Sequence, residues 1–420
     1  MNASIDHDGA FPARYAGRNA GIDCLRGLSI LLVVIHHLAL RFPLTETGLV
    51  HILPLRVLRM LNWGGIKGVT IFFVISGFLI TRHMLERSVR PAALSLRDFT
   101  GRRIARLLPC LLALIVVACM LGLLGVPSFV PDHPGQTLWG AALSALTMHL
   151  NVYEAETGYL PAYWDVLWSL SVEELFYLGF PLICVTLGRT PRRLLVCAAL
   201  LALAAPWFDW SLRNASEIWQ DKAYGPGMSA IATGIVAALL LPRVPAYPEL
   251  DKEKAQRGLS MLCGSLGCAG IVLYLLWGAQ IWSILSWVTP LFFNTAIALT
   301  LWALARGWGA HVTPRRTAWL RQWGQRSYEL YLSHMFVLMP IIAFAHAAAI
   351  STRWAWVLYP PTLLLVFWLG SAIERLYSRP LDLYLRRRLI APRCGAGPQA
   401  EFAHPNADAI APRSVRSACD

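Results

Sequence analysis

Arg26 and His37 carry the clearest chemical signal in this sequence, because both sit in its first apolar stretch, Leu25 to Leu38. They stand eleven positions apart. At about 100° per helical residue they return to within about 20° of one direction, separated by about 16 Å of rise. The spacing therefore predicts one stripe, with a guanidinium near a membrane edge and an imidazole deep inside; His36 points elsewhere. A neutral imidazole there can take a proton from a hydroxyl, which is general-base work. The same residue could equally do no more than hydrogen-bond a neighbouring helix.

Two further groups place charge where charge is costly. The first is Arg97-Asp98-Phe99-Thr100-Gly101-Arg102-Arg103-Ile104-Ala105-Arg106. Read as a helix, Arg103 and Arg106 share a face. Paired guanidinium groups suit phosphate oxygens, although basic residues beside a span also serve as topology signals. The second is Trp168-Ser169-Leu170-Ser171-Val172-Glu173-Glu174-Leu175-Phe176-Tyr177. Glu173 and Glu174 point about 100° apart on a helix. One could orient or charge-balance a histidine while the other pairs with an arginine; acidic residues at a helix start are also favoured by the dipole. A weaker signal is Ser327-Tyr328-Glu329-Leu330-Tyr331-Leu332-Ser333-His334, with His334 about two turns inside a span.

The elements that must position these groups are membrane helices. Of 420 residues, 56% are hydrophobic and 15% charged, against about 45–50% and about 25% in soluble domains. Stretches such as Leu107 to Val126 and Ile284 to Leu304 carry no charge, and about 20 such residues cross a bilayer core of about 30 Å. The expected fold is an all-α integral membrane bundle of about ten transmembrane helices. Its spans fall at 22–42, 66–84, 107–126, 168–187, 194–207, 226–241, 259–277, 284–305, 327–347 and 354–373. The moderately apolar segment Leu138 to Tyr153, with His149 and Asn151, reads as re-entrant or interfacial.

The net charge is +13, from 37 Lys+Arg against 24 Asp+Glu. In a soluble chain that excess would suggest nucleic acid. Here the basic residues cluster between apolar runs, as topology signals do, and no nucleic-acid partner is expected. With 138–153 not crossing, every cluster falls on one face, the cytoplasmic face of a cell inner (plasma) membrane. Both termini are then cytoplasmic. The expected organisation is a cytoplasmic segment 1–20, a transmembrane domain 21–390 and a disordered tail 391–420, with the first helix retained as an anchor. Nine cysteines without a CxxC pair suggest neither a disulfide nor a metal site. The chain shows no P-loop, dinucleotide fingerprint or internal repeat.

In order, these segments resemble the membrane acyltransferase-3 family, which includes bacterial O-antigen acetyltransferases. Arg26-Gly27 through His37 is similar to its Arg-x10-His motif. Phe72-Phe73-Val74-Ile75-Ser76-Gly77-Phe78 is similar to its second-helix motif, Arg103-Ile104-Ala105-Arg106 with Pro109 to its Arg-x-x-Arg element, and Trp168 to Tyr177 to its Trp-Ser-Leu-Ser-Val-Glu-Glu segment. The Ser327 to His334 stretch is similar to a later family helix. The chain departs from the pattern at Thr70, where Asp is frequent, and at Leu175, where Gln is usual; both bear on the acceptor more than on the reaction. Some relatives carry a fused esterase-like domain, whereas here a short tail follows the last span.

The resemblance implies transfer of an acyl group, commonly acetyl, from acyl-CoA to a hydroxyl of a carbohydrate or lipid-linked acceptor within the bilayer. It implies Arg26, Arg103 and Arg106 on the donor, and His37 as general base or transient acyl carrier. Glu173 or Glu174 would support the imidazole, and no metal is required. The rival class is a transporter or flippase for a glycolipid or small anion, whose mark would be paired broken helices in two related halves. An intramembrane serine protease would need Gly two positions before Ser76, where this chain has Val74.

Overall fold

The computed structural model describes residues 19–87, 95–187, 190–241, 250–309 and 316–389, and for 250–255 the backbone only. The expected N-terminal segment, apart from its last two residues, and the expected C-terminal tail lie outside the described residues. So do the basic positions Arg14, Arg18 and Arg189. Among the described residues every regular element is helical and none is a strand.

Ten helices overlap the ten expected spans. They are α1 (Ala20–Ala39), α2 (Gly65–Arg87), α3 (Leu96–Leu123), α4 (Trp168–Leu187), α5 (Pro191–Leu203), α6 (Tyr224–Leu239), α7 (Leu250–Leu285), α8 (Thr289–Ala305), α9 (Ser327–Ala347) and α10 (Tyr359–Ile373). Among the described residues, eight stretches are long and apolar enough to cross a membrane. One of them, Gln256–Ala305, holds both α7 and α8, and α6, at 16 residues, is about 24 Å long. The chain is a multi-pass membrane protein.

The segment read as re-entrant forms two short helices, Leu138–Leu146 and Leu150–Thr157. Between them Met148 adopts a φ of 64°, which breaks the helix because a side chain in that region is strained. Neither piece, of 9 and 8 residues, can cross a core of about 30 Å. The sequence did not anticipate the break at Met148.

Two glycine contacts fix where the polar residues sit. A Cβ on Gly77 of α2 would run into the Ile231 carbonyl of α6, and one on Gly234 of α6 into the Val74 carbonyl of α2. The two backbones touch, as small residues permit in membrane helix pairs. Gly27 of α1 likewise meets the Leu320 carbonyl of the short helix Ala318–Gln325, and Gly324 of that helix meets the Asp23 carbonyl. Gly27 follows Arg26 and Gly77 follows Ser76, so each close approach locks the depth of a neighbouring polar residue. The start of α1 is fixed further by Asn19. Its side chain caps Gly21 and Ile22 while donating to the Leu304 carbonyl at the end of α8.

After α10 the chain makes one π-helical turn, Glu374–Ser378, and continues as the basic helix Arg379–Leu389. This helix packs on α3, and Tyr377 donates to the Pro109 carbonyl at 3.3 Å.

Candidate active site

Helix α9 gathers the dispersed motifs. The Arg26 guanidinium donates to Ser327 Oγ at 2.8 Å. Tyr328 donates to the Leu107 carbonyl of α3 at 2.7 Å. Glu329, fully buried, pairs with Arg106 at 3.2 Å. Tyr331 contacts Ser169 of α4 at 2.8 Å and donates to the Val166 carbonyl at 2.6 Å. The His334 ring lies 5.0 Å from that of His37. Five side chains within eight positions thus reach α1, α3 and the start of α4. In the sequence this stretch carried the weakest signal, although Ser327, Tyr331 and His334 share one stripe and Tyr328 and Glu329 point off it.

A second network joins α2, α3 and α4. Glu173 accepts from Ser76 Oγ at 2.7 Å and from Tyr177 at 3.3 Å. The Arg103 guanidinium lies 4.1 Å above the Tyr177 ring, close enough for a cation–π contact. The carboxylate therefore holds a hydroxyl and a phenol in place, and the phenol ring seats an arginine.

Both networks border one cavity of about 760 Å³. Arg26, Ser76, Arg103, Arg106, Ser169, Glu173, Tyr177 and Tyr331 line it. Among the described residues, seven arginines and three carboxylates line it, four more positive than negative charges. Of the six residues singled out in the sequence, Arg26, Arg103, Arg106 and Glu173 come together here; His37 and Glu174 do not line the cavity.

His37 lies behind the cavity's Tyr331 wall. The Tyr331 ring is 5.8 Å from that of His334, which is 5.0 Å from His37. Both imidazoles use Nδ1 toward backbone carbonyls, His37 to Val33 at 2.8 Å and His334 to Tyr331 at 2.6 Å. A carbonyl can only accept, so Nδ1 carries the proton and each Nε2 keeps its lone pair. His334 Nε2 is buried without a partner. The ring of His37 is thus oriented by its own helix, while the bonds of Glu173 go to Ser76 and Tyr177 rather than to an imidazole.

One charged group was missed by sequence reasoning. Lys222 pairs with Glu154 at 2.8 Å and with Asp165, and its ammonium sits 4.7 Å over Tyr159. It is near enough to His37, and Asp165 to His36, to act on them electrostatically. Burial, then Asp165, pushes the Glu154 carboxyl up to about 8. Lys222 is raised by the two carboxylates, which outweigh its burial. The partners come from three short segments up to 68 positions apart, so no local pattern announced them. Among the described residues no group of three or more His, Cys, Asp or Glu side chains is gathered as a metal ion would need.

The sequence has counterparts among known proteins. A Staphylococcus aureus (strain COL) protein assigned by name to the O-acetyltransferases is 26% identical over 342 residues, covering 78% of this chain and 51% of that protein. The peptidoglycan O-acetyltransferase OatA of Listeria monocytogenes is 30% identical over 213 residues, covering 49% of this chain and 29% of OatA. The S. aureus (strain NCTC 8325) O-acetyltransferase OatA is 28% identical over 196 residues, 44% of this chain and 28% of its own. The chain spans about half the length of the first of these relatives, and less of the other two. No solved structure matches it. The family model described as an acyltransferase domain matches residues 19–373, nearly the whole described bundle, and the chain belongs to that acyltransferase family.

Proposed function

We propose that this protein transfers an acyl group, commonly acetyl, from acyl-CoA to a hydroxyl of a carbohydrate or lipid-linked acceptor of the cell envelope. The observation that carries this reading is the arginine-rich cavity, which ends at Tyr331 and Ser169 with the paired imidazoles behind them. The relatives named O-acetyltransferases support the reaction class. In this reading the protein lies in the inner membrane with both termini in the cytoplasm, and the cavity mouth opens to the cytoplasmic donor. Arg103 and Arg106 take the diphosphate. The pantetheine arm runs inward past Arg26 toward the Tyr331 layer.

His37 then acts as general base. Its Nε2 lone pair takes the proton of the acceptor hydroxyl, the oxygen attacks the thioester carbonyl, and CoA leaves as the thiol. Glu173 acts one step removed, fixing Tyr177 beneath Arg103. A variant in which His37 is itself acylated would give ping-pong kinetics, whereas direct attack requires a ternary complex. Mass spectrometry of cell-envelope glycans from strains with and without the protein tests the reading. One added acyl mass on a defined residue supports it. Movement of the acceptor across the membrane with no acylation would replace it with a transport function.

A further inference from the structure

A basic cluster from Arg375 to Arg388 follows the last expected span, and the fold brings part of it to the cavity. Arg375, Arg379, Asp382 and Arg386 are spaced four, three and four positions apart. That is the repeat of a single helical face, and all four line the mouth of the cavity. Two of the arginines there are matched: Arg386 pairs with Asp382 at 2.7 Å, and Arg326 with Glu374 at 3.8 Å. Arg375 and Arg379 are exposed and, among the described residues, form no ion pair. A π-helical turn sits just before Arg379; such turns recur at functional sites.

We propose that Arg375 and Arg379 form a second phosphate subsite, which binds the ribose phosphomonoester of the CoA donor. This rests on the acyl-CoA reading above. The subsite is separate from Arg103 and Arg106, which face the diphosphate. A phosphomonoester carries close to two negative charges at neutral pH, and the diphosphate adds about two more, one for each phosphodiester-type group. With Arg106 paired to Glu329 behind the lining, the cavity keeps a surplus of three positive charges, and Arg375 and Arg379 supply two of them. The matched pairs at Arg386 and Arg326 leave Arg375 and Arg379 as the charges for a dianion, and their exposure suits the solvent end of a long ligand. The subsite would select CoA over donors that end in pantetheine or a plain nucleoside diphosphate.

Equilibrium binding of CoA and of dephospho-CoA to the purified full chain in detergent tests the proposal. The wild type should bind CoA roughly tenfold or more tighter than dephospho-CoA. Arg375→Gln with Arg379→Gln should lower CoA affinity to the dephospho-CoA level while changing dephospho-CoA affinity less than about twofold. Unchanged dephospho-CoA binding also shows that the variant is folded. Arg388→Gln, on the same helix but off the cavity, should alter neither. Equal wild-type affinity for the two ligands, or equal weakening of both in the double variant, would overturn the subsite and leave the donor reading standing. Wild-type protein that binds neither ligand would remove the donor reading itself.

Discussion

His37 donates through Nδ1 to the Val33 carbonyl one turn back, so its own helix sets the direction of its Nε2 lone pair. Support from carboxylates lies elsewhere. Glu173 grips Ser76 and Tyr177, which makes it a positioning residue for Arg103. Glu173→Gln and Ser76→Ala should each raise KM for acyl-CoA by about three- to tenfold with a smaller fall in kcat, measured by steady-state release of the CoA thiol. A fall in kcat at unchanged KM would assign Glu173 to the chemical step instead. Glu154 gives a pH prediction. Its protonated form is favoured in the folded chain, with the carboxyl raised from 4.5 to about 8 by burial and Asp165. Unfolding then releases a proton between those values, so the stability Glu154 contributes at low pH is lost as pH rises through about 8. Melting temperatures in detergent should show this slope in the wild type and a flatter one in Glu154→Gln. Identical slopes would detach the pH dependence from Glu154.

Helix α9 is the element on which the site depends. Arg106→Ala strips the partner from Glu329, a carboxylate with no exposure, whereas Arg106 itself keeps 29% of its side-chain surface. The loss of an ion-pair partner there should cost about 2 kcal/mol, less than for a pair buried on both sides. Adding Glu329→Gln should restore part of the melting temperature; a double variant no more stable than Arg106→Ala would show that the pair is not what is lost. The sequence revealed α1 well, because Arg26 and His37 share one helix and their spacing alone fixes their alignment. It revealed Ser76 with Glu173 poorly, since those residues meet only through the close contact of α2 with α6 and the packing of α4 beside them. Ser327 to His334 was legible as helix more than as site, and Arg375 to Arg388 only as a basic cluster beyond the last span. Their importance depends on what faces them, and periodicity carries no such information. Lys222 was invisible for the same reason.

Across the whole molecule, the bundle has a polarity. Arginines line the cavity, and His334 and then His37 lie behind its Tyr331 wall. A reporter fused after Arg193 should appear in the cytoplasm, on the same side as one fused near Arg97; opposite sides would mean that 138–153 crosses the membrane. The orientation also sets where chemistry occurs, and transfer of isotope-labelled acetyl from acetyl-CoA to a glycan acceptor by the protein reconstituted in liposomes measures that directly. The account predicts labelled glycan with the wild type. With His37→Gln it predicts a loss of at least about 100-fold, while the variant still binds CoA with near wild-type affinity. Labelling by a folded His37→Gln variant at the wild-type rate would contradict it.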